Sequence, residues 1–398
     1  MNTMEQHEEK AYSLNSQPLC FDGPLTDKLP GWKFVPSDPK DGMTYNPFEG
    51  YYPDKGGKLI SPRITLDAED HKPGYYRITF EAEAPQRAYQ GINFYDAEGN
   101  LLPDLYDVVY PGEKQSYDRI FYAMRKVSSL EVFFQTTCGI RAWNLKLTWA
   151  TPEEAVAYCD RLYAALPPVR FTAPEDAMKL LPRTCEALKS GKPWRVVLLG
   201  DSIMQDTFHS QFHSLLQREF PNANFEWVIS MRGGTGCWYY SQVDQFKKYV
   251  YDEKPDLLII GGISNYRNTE ITGHEAMGIV ARAAKAFLGC EVLLLTGALA
   301  VDTRMFDPQH PEADLPVQPW TYKQDKLLAN NLAGLQEVGK SIGCPVWDMH
   351  LPCYEWLYAS GKPYEFYSRD TVHSGEKGKQ IIGRILLEYL KTAGNAKA

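Results

Sequence analysis

Four segments of the chain carry side chains whose chemistry could combine in acyl transfer, and the first contains a serine. The segment LLGDSIMQ at 198–205 places Ser202 between a predicted strand and a predicted helix. A hydroxyl in that position is a candidate nucleophile, and N–H groups at the start of a helix favour a nearby negative charge. A serine that only caps the helix gives the same local pattern, so this segment alone leaves both interpretations open.

The other three segments offer a base and hydrogen-bond donors. Near the C-terminus, Asp370 and His373 lie three residues apart, which provides a general base and a carboxylate to orient it. The loop SMRGGTGCW at 230–238 is rich in glycine, which lets a backbone N–H approach a substrate oxygen closely. Asn265 follows a further apolar run, where its side-chain amide could donate into the same pocket.

A parallel sheet is the element expected to position these side chains. Apolar runs alternate with helical patterns in the second half of the chain, at 195–200, 225–230, 256–262, 291–299 and 345–349. This alternation predicts an α/β fold with a doubly wound, parallel, five-stranded sheet of the flavodoxin-like kind and helices on both faces. Ligands bind beyond the carboxyl ends of such strands, where three of the four segments lie. Single helices are predicted from Ser202 through Phe220 and over about 376–390.

The first half of the chain has a different pattern of apolar and polar residues. In YYRITFEAEA at 75–84, apolar and polar residues alternate, and further alternating stretches follow with turn signals between them. Alternating strands without helices predict a β-sandwich at 1–150, similar to the jelly-roll modules that accompany carbohydrate-active enzymes and expected to bind carbohydrate. A helical connector at 151–193 follows, with a capping box at 151–154 and a second helix over about 175–189. The α/β catalytic domain is expected at 194–398.

Taken together, the four segments resemble the SGNH (GDSL-type) hydrolase superfamily. The match consists of GDS with Ser202, a glycine loop with Gly236, an asparagine loop with Asn265, and D-x-x-H with Asp370 and His373, in the family's order. The resemblance implies that His373 takes the proton of Ser202 while Asp370 orients the imidazole. It also implies an oxyanion hole made of the N–H groups of Ser202 and Gly236 and the side chain of Asn265, with no metal and no cofactor.

The resemblance covers roughly residues 194–391, and two features depart from the family's pattern. The third block usually reads G-x-N-D, whereas this chain has GGISNY at 261–266, with an extra residue before Asn265 and no aspartate after it. In the glycine loop, Gly234 competes with Gly236, which matches the second glycine of the family's G-x-x-G arrangement.

The resemblance and the predicted sandwich together indicate a serine esterase that hydrolyses small acyl groups, with acetyl esters on an oligo- or polysaccharide as the expected substrate. An O-acyltransferase that uses the same Ser-His-Asp site is the alternative, as is a lipase or thioesterase of the same superfamily.

The segment 301–322 is rich in proline and is expected to be irregular. Arg304, His310 and Trp320 are its candidate substrate contacts. A surface loop without a role in substrate binding fits the same sequence equally well.

Two other groups of residues are assigned structural roles. His209 and His213 share a helix face, but H-S-Q-F-H lacks the glutamate of a zinc-protease helix. Asp348 and His350 follow the fifth apolar run and form a second possible acid–base pair. Polar residues at strand ends often cap backbone groups, so this pair ranks below Asp370 and His373.

Composition limits the partners and the compartment. The net charge of −8, with 42 basic and 50 acidic residues and no long basic run, argues against a nucleic-acid partner. No apolar stretch reaches the ~18 residues of a membrane span. The eight cysteines show no C-x-x-C pair or metal-ligand spacing, so structural thiols are expected and disulfides stay open. Without a signal peptide the chain is expected to be cytoplasmic as read, and secreted or periplasmic if a precursor was trimmed. The oligomeric state is not predicted.

Overall fold

A computed structural model describes residues 11–14, 17–36, 56–102, 105–136, 139–261, 271–298, 332–362, 366–369 and 373–394. The chain divides into two units, Met1–Tyr158 and Cys159–Ala398. Within the described ranges, no helix combines the length and the apolar character that are needed to cross a bilayer.

Antiparallel strands with alternating burial form the first unit. In the longest apolar alternation, Ile78, Phe80 and Ala82 are buried while their neighbours in sequence are partly exposed. This is the pattern expected of a strand with one face on a core. The strands are β1 (Leu19–Pro24), β2 (Lys33–Pro36), β3 (Gly57–Ile60), β4 (Ile64–Thr65), β5 (Gly74–Ala84), β6 (Ala88–Tyr95), β7 (Leu105–Val109), β8 (Gly112–Ala123), β9 (Ser129–Thr136) and β10 (Arg141–Ala150), with a 3₁₀ turn at Ala68–Asp70.

These strands pair into two antiparallel sheets in the part of the unit that is described. One sheet has the order β1-β10-β5-β8, and the other has the order β2-β3-β9-β6-β7 with β4 also paired to β9. The ring of Phe80 on β5 lies 5.3 Å from that of Phe134 on β9, and the rings of Tyr76 and Phe94 are 4.8 Å apart. The apolar faces of the two sheets therefore share one hydrophobic core.

The second unit contains the parallel sheet that the apolar runs predict. Its strands are β11 (Pro193–Gly200), β12 (Asn224–Met231), β13 (Leu257–Ile260), β14 (Glu291–Leu295) and β15 (Val346–Trp347). Over the described residues their order is β12-β11-β13-β14-β15, and every pairing is parallel. This is the 2-1-3-4-5 order of flavodoxin-like sheets. The prediction of a five-stranded parallel sheet is confirmed, and all residues of β13 and β14 are buried.

Helices precede, separate and follow the strands of this sheet along the chain. They are α1 (Pro152–Ala164), α2 (Pro182–Ser190), α3 (Ser202–Phe208), α4 (Phe212–Glu219), α5 (Cys237–Tyr240), α6 (Val243–Phe246), α7 (Gly273–Leu288), α8 (Leu332–Ile342), α9 (His350–Ser360) and α10 (Glu376–Lys391), with a π-helical turn at Lys247–Tyr251 and a 3₁₀ turn at Thr392–Gly394. Helix α7 packs on β13, β14 and α8, whereas α10 packs on α3, α4 and α9.

Two helical predictions need correction. The helix predicted over 175–189 begins only at Pro182, because proline lacks an N–H and disfavours a helical conformation in the preceding residue, Leu181. The single helix predicted from Ser202 through Phe220 is broken into α3 and α4. At the break, the hydroxyl of Ser210 donates to the carbonyl of Thr207 and accepts from the N–H of Phe212, so it competes with the helical backbone pattern. The capping box at 151–154 is confirmed, with N–H to side-chain distances of 2.8 and 3.2 Å.

Candidate active site

Ser202 is the first residue of α3 and follows β11 after a turn of one residue. That residue, Asp201, is fully buried and is the N-cap of the helix, since its carboxylate accepts a hydrogen bond of 2.8 Å from the N–H of Ile203. The capping role that a serine could have had here is therefore performed by Asp201. The hydroxyl of Ser202, which is only partly buried, remains available for another partner.

That partner is the imidazole of His373. Its Nε2 lies 2.7 Å from the Oγ of Ser202, a hydrogen-bond distance, although the two residues are 171 positions apart. Both residues are partly exposed. A hydroxyl in contact with an imidazole, open to a ligand at the carboxyl edge of a parallel sheet, is the arrangement of an activated nucleophile.

Short backbone hydrogen bonds shape the segment that carries His373. The carbonyl of His373 accepts from the N–H of Arg369 at 2.7 Å, and the N–H of Gly375 donates to the carbonyl of Tyr367 at 2.8 Å. Ser368 and Ser374 form an antiparallel bridge between these two bonds. Residues 367–369 and 373–375 are thus the paired legs of a hairpin, and this pairing fixes the backbone of His373 and of the two residues that follow it.

Glycines let the strand ends approach each other closely beside Ser202. A Cβ on Gly200 would lie 2.2 Å from the carbonyl oxygen of Gly261 and 2.5 Å from the Cβ of Met204. A Cβ on Gly261 would lie 2.5 Å from the Cβ of Leu295. The ends of β11, β13 and β14 therefore converge at a spacing that only glycine permits.

The two candidate glycines of the loop after β12 occupy different environments. Gly236 is buried and is the N-cap residue of α5, with an extended backbone at φ −108° and ψ 168°. Gly234 is exposed and has a φ of +67°, a left-handed conformation that favours glycine for reasons of turn geometry. The structure gives Gly234 a local conformational reason for being glycine, and it places Gly236 in the interior.

Tyr240 is a residue of this site that the sequence analysis missed. It is 1% exposed, and its hydroxyl donates to the carbonyl of Gly200 at 2.6 Å while it accepts from the N–H of Arg232 at 2.9 Å. Burial raises the pKa of the Tyr240 phenol, so the donor proton is retained. The only sequence signal is a tyrosine four residues after Gly236, which by itself indicates core packing as readily as a role in the site.

Several residues singled out from the sequence lie outside the described residues: Asp370, Asn265, Arg304, His310 and Trp320. Their roles stay predictions. Among the side chains that are described, no group of three or more His, Cys, Asp or Glu converges in a way that could hold a metal ion.

The Asp348–His350 pair is placed as a structural cap. The Oδ1 of Asp348 accepts from the N–H groups of His350 and Leu351 at 3.0 and 3.2 Å, at the start of α9, and from the hydroxyl of Thr296 at 2.9 Å. Burial lowers the pKa of His350. His213 is also buried, and its ring lies parallel to that of Phe208 at 4.7 Å, which is a packing role.

No protein-family model and no curated protein sequence matches the chain. Solved structures do match it at low identity. A two-domain esterase active on acetylated mannans is 16% identical, with a TM-score of 0.41, over 55% of this chain and 54% of that one. A peptidoglycan O-acetylesterase is 11% identical, with a TM-score of 0.34, over 92% of this chain and 77% of that one.

A third match is a lipase/acylhydrolase from Enterococcus faecalis, which is 21% identical, with a TM-score of 0.35, over 51% of this chain and 97% of that one. The match to the mannan esterase spans about half of that protein's length.

Proposed function

We propose that this chain is a serine esterase of the SGNH type that hydrolyses small acyl esters through an acyl-enzyme. One observation carries the proposal: the Nε2 of His373 lies 2.7 Å from the Oγ of Ser202, at the N-terminus of α3 and the carboxyl edge of the sheet. Because Asp201 caps the helix, the serine hydroxyl is left with the imidazole as its partner. Capping alone does not call for an imidazole at that distance.

The first half of the reaction forms the acyl-enzyme. The Oγ of Ser202 attacks the ester carbonyl, and His373 takes the hydroxyl proton as that C–O bond forms. The imidazolium then gives the proton to the oxygen of the leaving alcohol when the original ester bond breaks. Asp370, three residues before His373, is the carboxylate assigned to orient the imidazole and to stabilise its charged form.

The tetrahedral intermediate carries its negative charge on the former carbonyl oxygen. The N–H of Ser202 at the start of α3 is a suitable donor to that oxygen, because the helix terminus favours negative charge. The N–H of the buried Gly236 and the side-chain amide of Asn265 are the two other assigned donors. Deacylation repeats the sequence with water, which His373 deprotonates as it attacks the acyl carbon. The bond between the acyl carbon and the Oγ of Ser202 then breaks, and the imidazolium returns the proton to that oxygen.

The carbohydrate part of the proposal rests on the first unit. We interpret its two antiparallel sheets, which share one core, as the jelly-roll-like sandwich expected at 1–150, and the second unit as the catalytic domain. A sandwich module attached to an esterase favours a polymeric substrate that has to be held while its esters are cleaved. Acetyl groups on an oligo- or polysaccharide are therefore the proposed substrate.

The decisive experiment compares two serine variants. Ser202→Ala should reduce hydrolysis of p-nitrophenyl acetate to near background without loss of folding, and a fluorophosphonate should label wild-type protein at Ser202. Ser341→Ala is the matched control, since this exposed serine on α8 donates to the carbonyl of Val338 within its own helix. Turnover retained by Ser202→Ala, or labelling at a different serine, would exclude the proposal.

A histidine variant tests the base, and acetylated polysaccharides test the substrate. Because His373 is the proposed acceptor of the serine proton, His373→Ala should hydrolyse p-nitrophenyl acetate and react with the fluorophosphonate much more slowly than wild type. Wild-type rates of both reactions in His373→Ala contradict a histidine base. Release of acetate from an acetylated polysaccharide supports the carbohydrate esterase, whereas acetyl transfer to an added sugar in preference to water indicates the transferase.

A further inference from the structure

A buried carboxylate lies one helical turn beyond the nucleophile on the same helix. Asp206 follows Ser202 by four residues on α3, so the two side chains share a face of the helix. Asp206 is only 1% exposed. A carboxylate removed from water to that degree is strongly destabilising unless hydrogen bonds and cations compensate it.

Two of the groups that compensate Asp206 lie on the legs of the His373 hairpin, and a third lies on α10. Its Oδ2 accepts a hydrogen bond of 2.9 Å from the N–H of Ser374, the residue directly after the histidine. Its Oδ1 lies 3.3 Å from the Nη2 of Arg369 and 3.9 Å from the Nζ of Lys379. These side chains are also buried, Arg369 and Lys379 being 5% exposed each. Arg369 in turn donates its backbone N–H to the carbonyl of His373.

Helix α3 therefore contacts the histidine hairpin at two points. Ser202 contacts the imidazole itself, and one turn later Asp206 contacts the backbone N–H that follows it and the guanidinium on the opposite leg. The spacing of the two contacts on the helix is fixed, so the second determines where the imidazole lies relative to the first. We propose that Asp206 is a positioning residue that holds the His373 hairpin against the Ser202 helix at the distance proton transfer requires.

The proposal rests on the proposed esterase function and predicts a change in kcat rather than in KM. A misplacement of about 1 Å in a reacting geometry can cost about 100-fold in rate. Asp206→Asn keeps the shape of the side chain but has one acceptor oxygen where the carboxylate has two. Either the N–H of Ser374 or the guanidinium of Arg369 must then face an amide –NH₂. We expect kcat of Asp206→Asn to fall by at least about tenfold, with KM changed by less than about threefold.

A second variant approaches the same contact from the other leg. Arg369→Gln removes the cation and leaves the hydrogen bond from Ser374 in place, so a smaller loss of kcat is expected, again without a change in KM.

The matched control is Glu291→Gln. Glu291 is a buried carboxylate that accepts N–H groups of Arg183 and Thr184 at 2.9 Å, at the amino end of β14 and thus at the opposite edge of the sheet. The Glu291→Gln variant should have a lower free energy of unfolding than wild type and an unchanged kcat.

The measurements are kcat and KM on p-nitrophenyl acetate and the rate of fluorophosphonate labelling at Ser202, at a temperature where circular dichroism shows folded protein. Lower kcat and slower labelling in the folded variants, with normal values in Glu291→Gln, support the proposal. Wild-type kcat in Asp206→Asn overturns it. If Asp206→Asn is unfolded, Arg369→Gln decides by the same criterion. Wild-type protein that neither hydrolyses the ester nor reacts with the probe contradicts the esterase function instead.

Discussion

The hydroxyl of Tyr240 donates a hydrogen bond of 2.6 Å to the carbonyl oxygen of Gly200. Gly200 ends β11 two residues before Ser202, and Tyr240 ends the short helix α5 that begins after Gly236. The same hydroxyl accepts from the N–H of Arg232, at the start of the glycine loop. One buried phenol thus connects the strand that precedes the proposed nucleophile with the loop assigned to the oxyanion hole.

Tyr240→Phe removes both of these hydrogen bonds and adds no bulk. Because the N–H of Arg232 also donates to the carbonyl of Gly200 at 3.3 Å, neither group loses its last partner, and the free energy of unfolding should fall by about 0.5–1.5 kcal/mol. Because the loop donors act on charge that develops in the transition state, kcat should fall more than KM rises. Tyr239→Phe is the control, since it makes the same change at the neighbouring, partly exposed ring. Urea unfolding and steady-state kinetics check both; a normal kcat in Tyr240→Phe would show that other contacts hold the loop.

Gly200→Ala tests the convergence of the strand ends. The added Cβ would lie 2.2 Å from the carbonyl oxygen of Gly261, so backbone must move. Overpacking of this kind typically costs about 1–3 kcal/mol, and the shift displaces Ser202, so kcat should decrease as well. Gly233→Ala is the control, because nothing lies within 4 Å of its added Cβ. Its free energy of unfolding, measured with urea, should stay within about 0.5 kcal/mol of wild type. Equal free energies of unfolding and equal kcat in the two variants would contradict the close approach of Gly200 to the carbonyl of Gly261.

The sheet was predictable from sequence because buried parallel strands appear as continuous apolar runs. The candidate pairing of Ser202 with His373 was also accessible, since GDS and D-x-x-H are local patterns and strand ends meet at one edge of such a sheet. The roles of Tyr240 and Asp206 could not be predicted from the sequence. They depend on contacts with backbone groups 40 and 168 residues away, and every residue type carries such groups. The break between α3 and α4 was missed because the apolar spacing continues through it. The helix is interrupted by the hydrogen bonds of the Ser210 hydroxyl and by the left-handed backbone of Gln211, with a φ of +58°.

His213 should make stability depend on acid. Burial lowers its pKa from near 6.5 to about 3, so between these values the unfolded chain binds a proton that the folded protein does not. The free energy of unfolding therefore falls as pH decreases below about 6.5, by at most about 1.4 kcal/mol per pH unit from this group. From pH 7 to 5 the contribution is about 2 kcal/mol. His213→Phe and His213→Gln should both lack it, as urea unfolding of each variant at the two pH values will measure. An unchanged loss in both variants would assign the acid sensitivity to other groups.

Asn265→Ala tests the assignment that depends most on the resemblance, because the third block carries an extra residue before the asparagine. A side-chain donor to the oxyanion acts only on charge that develops in the transition state, so its removal lowers kcat by about 10²–10³ and leaves KM near normal. Ser264→Ala is the control and should be almost silent. If Ser264→Ala has the large loss of kcat while Asn265→Ala has near-normal kcat, the alignment of this block is off by one residue. If neither substitution matters, the oxyanion is stabilised by backbone N–H groups alone, those of Ser202 and Gly236.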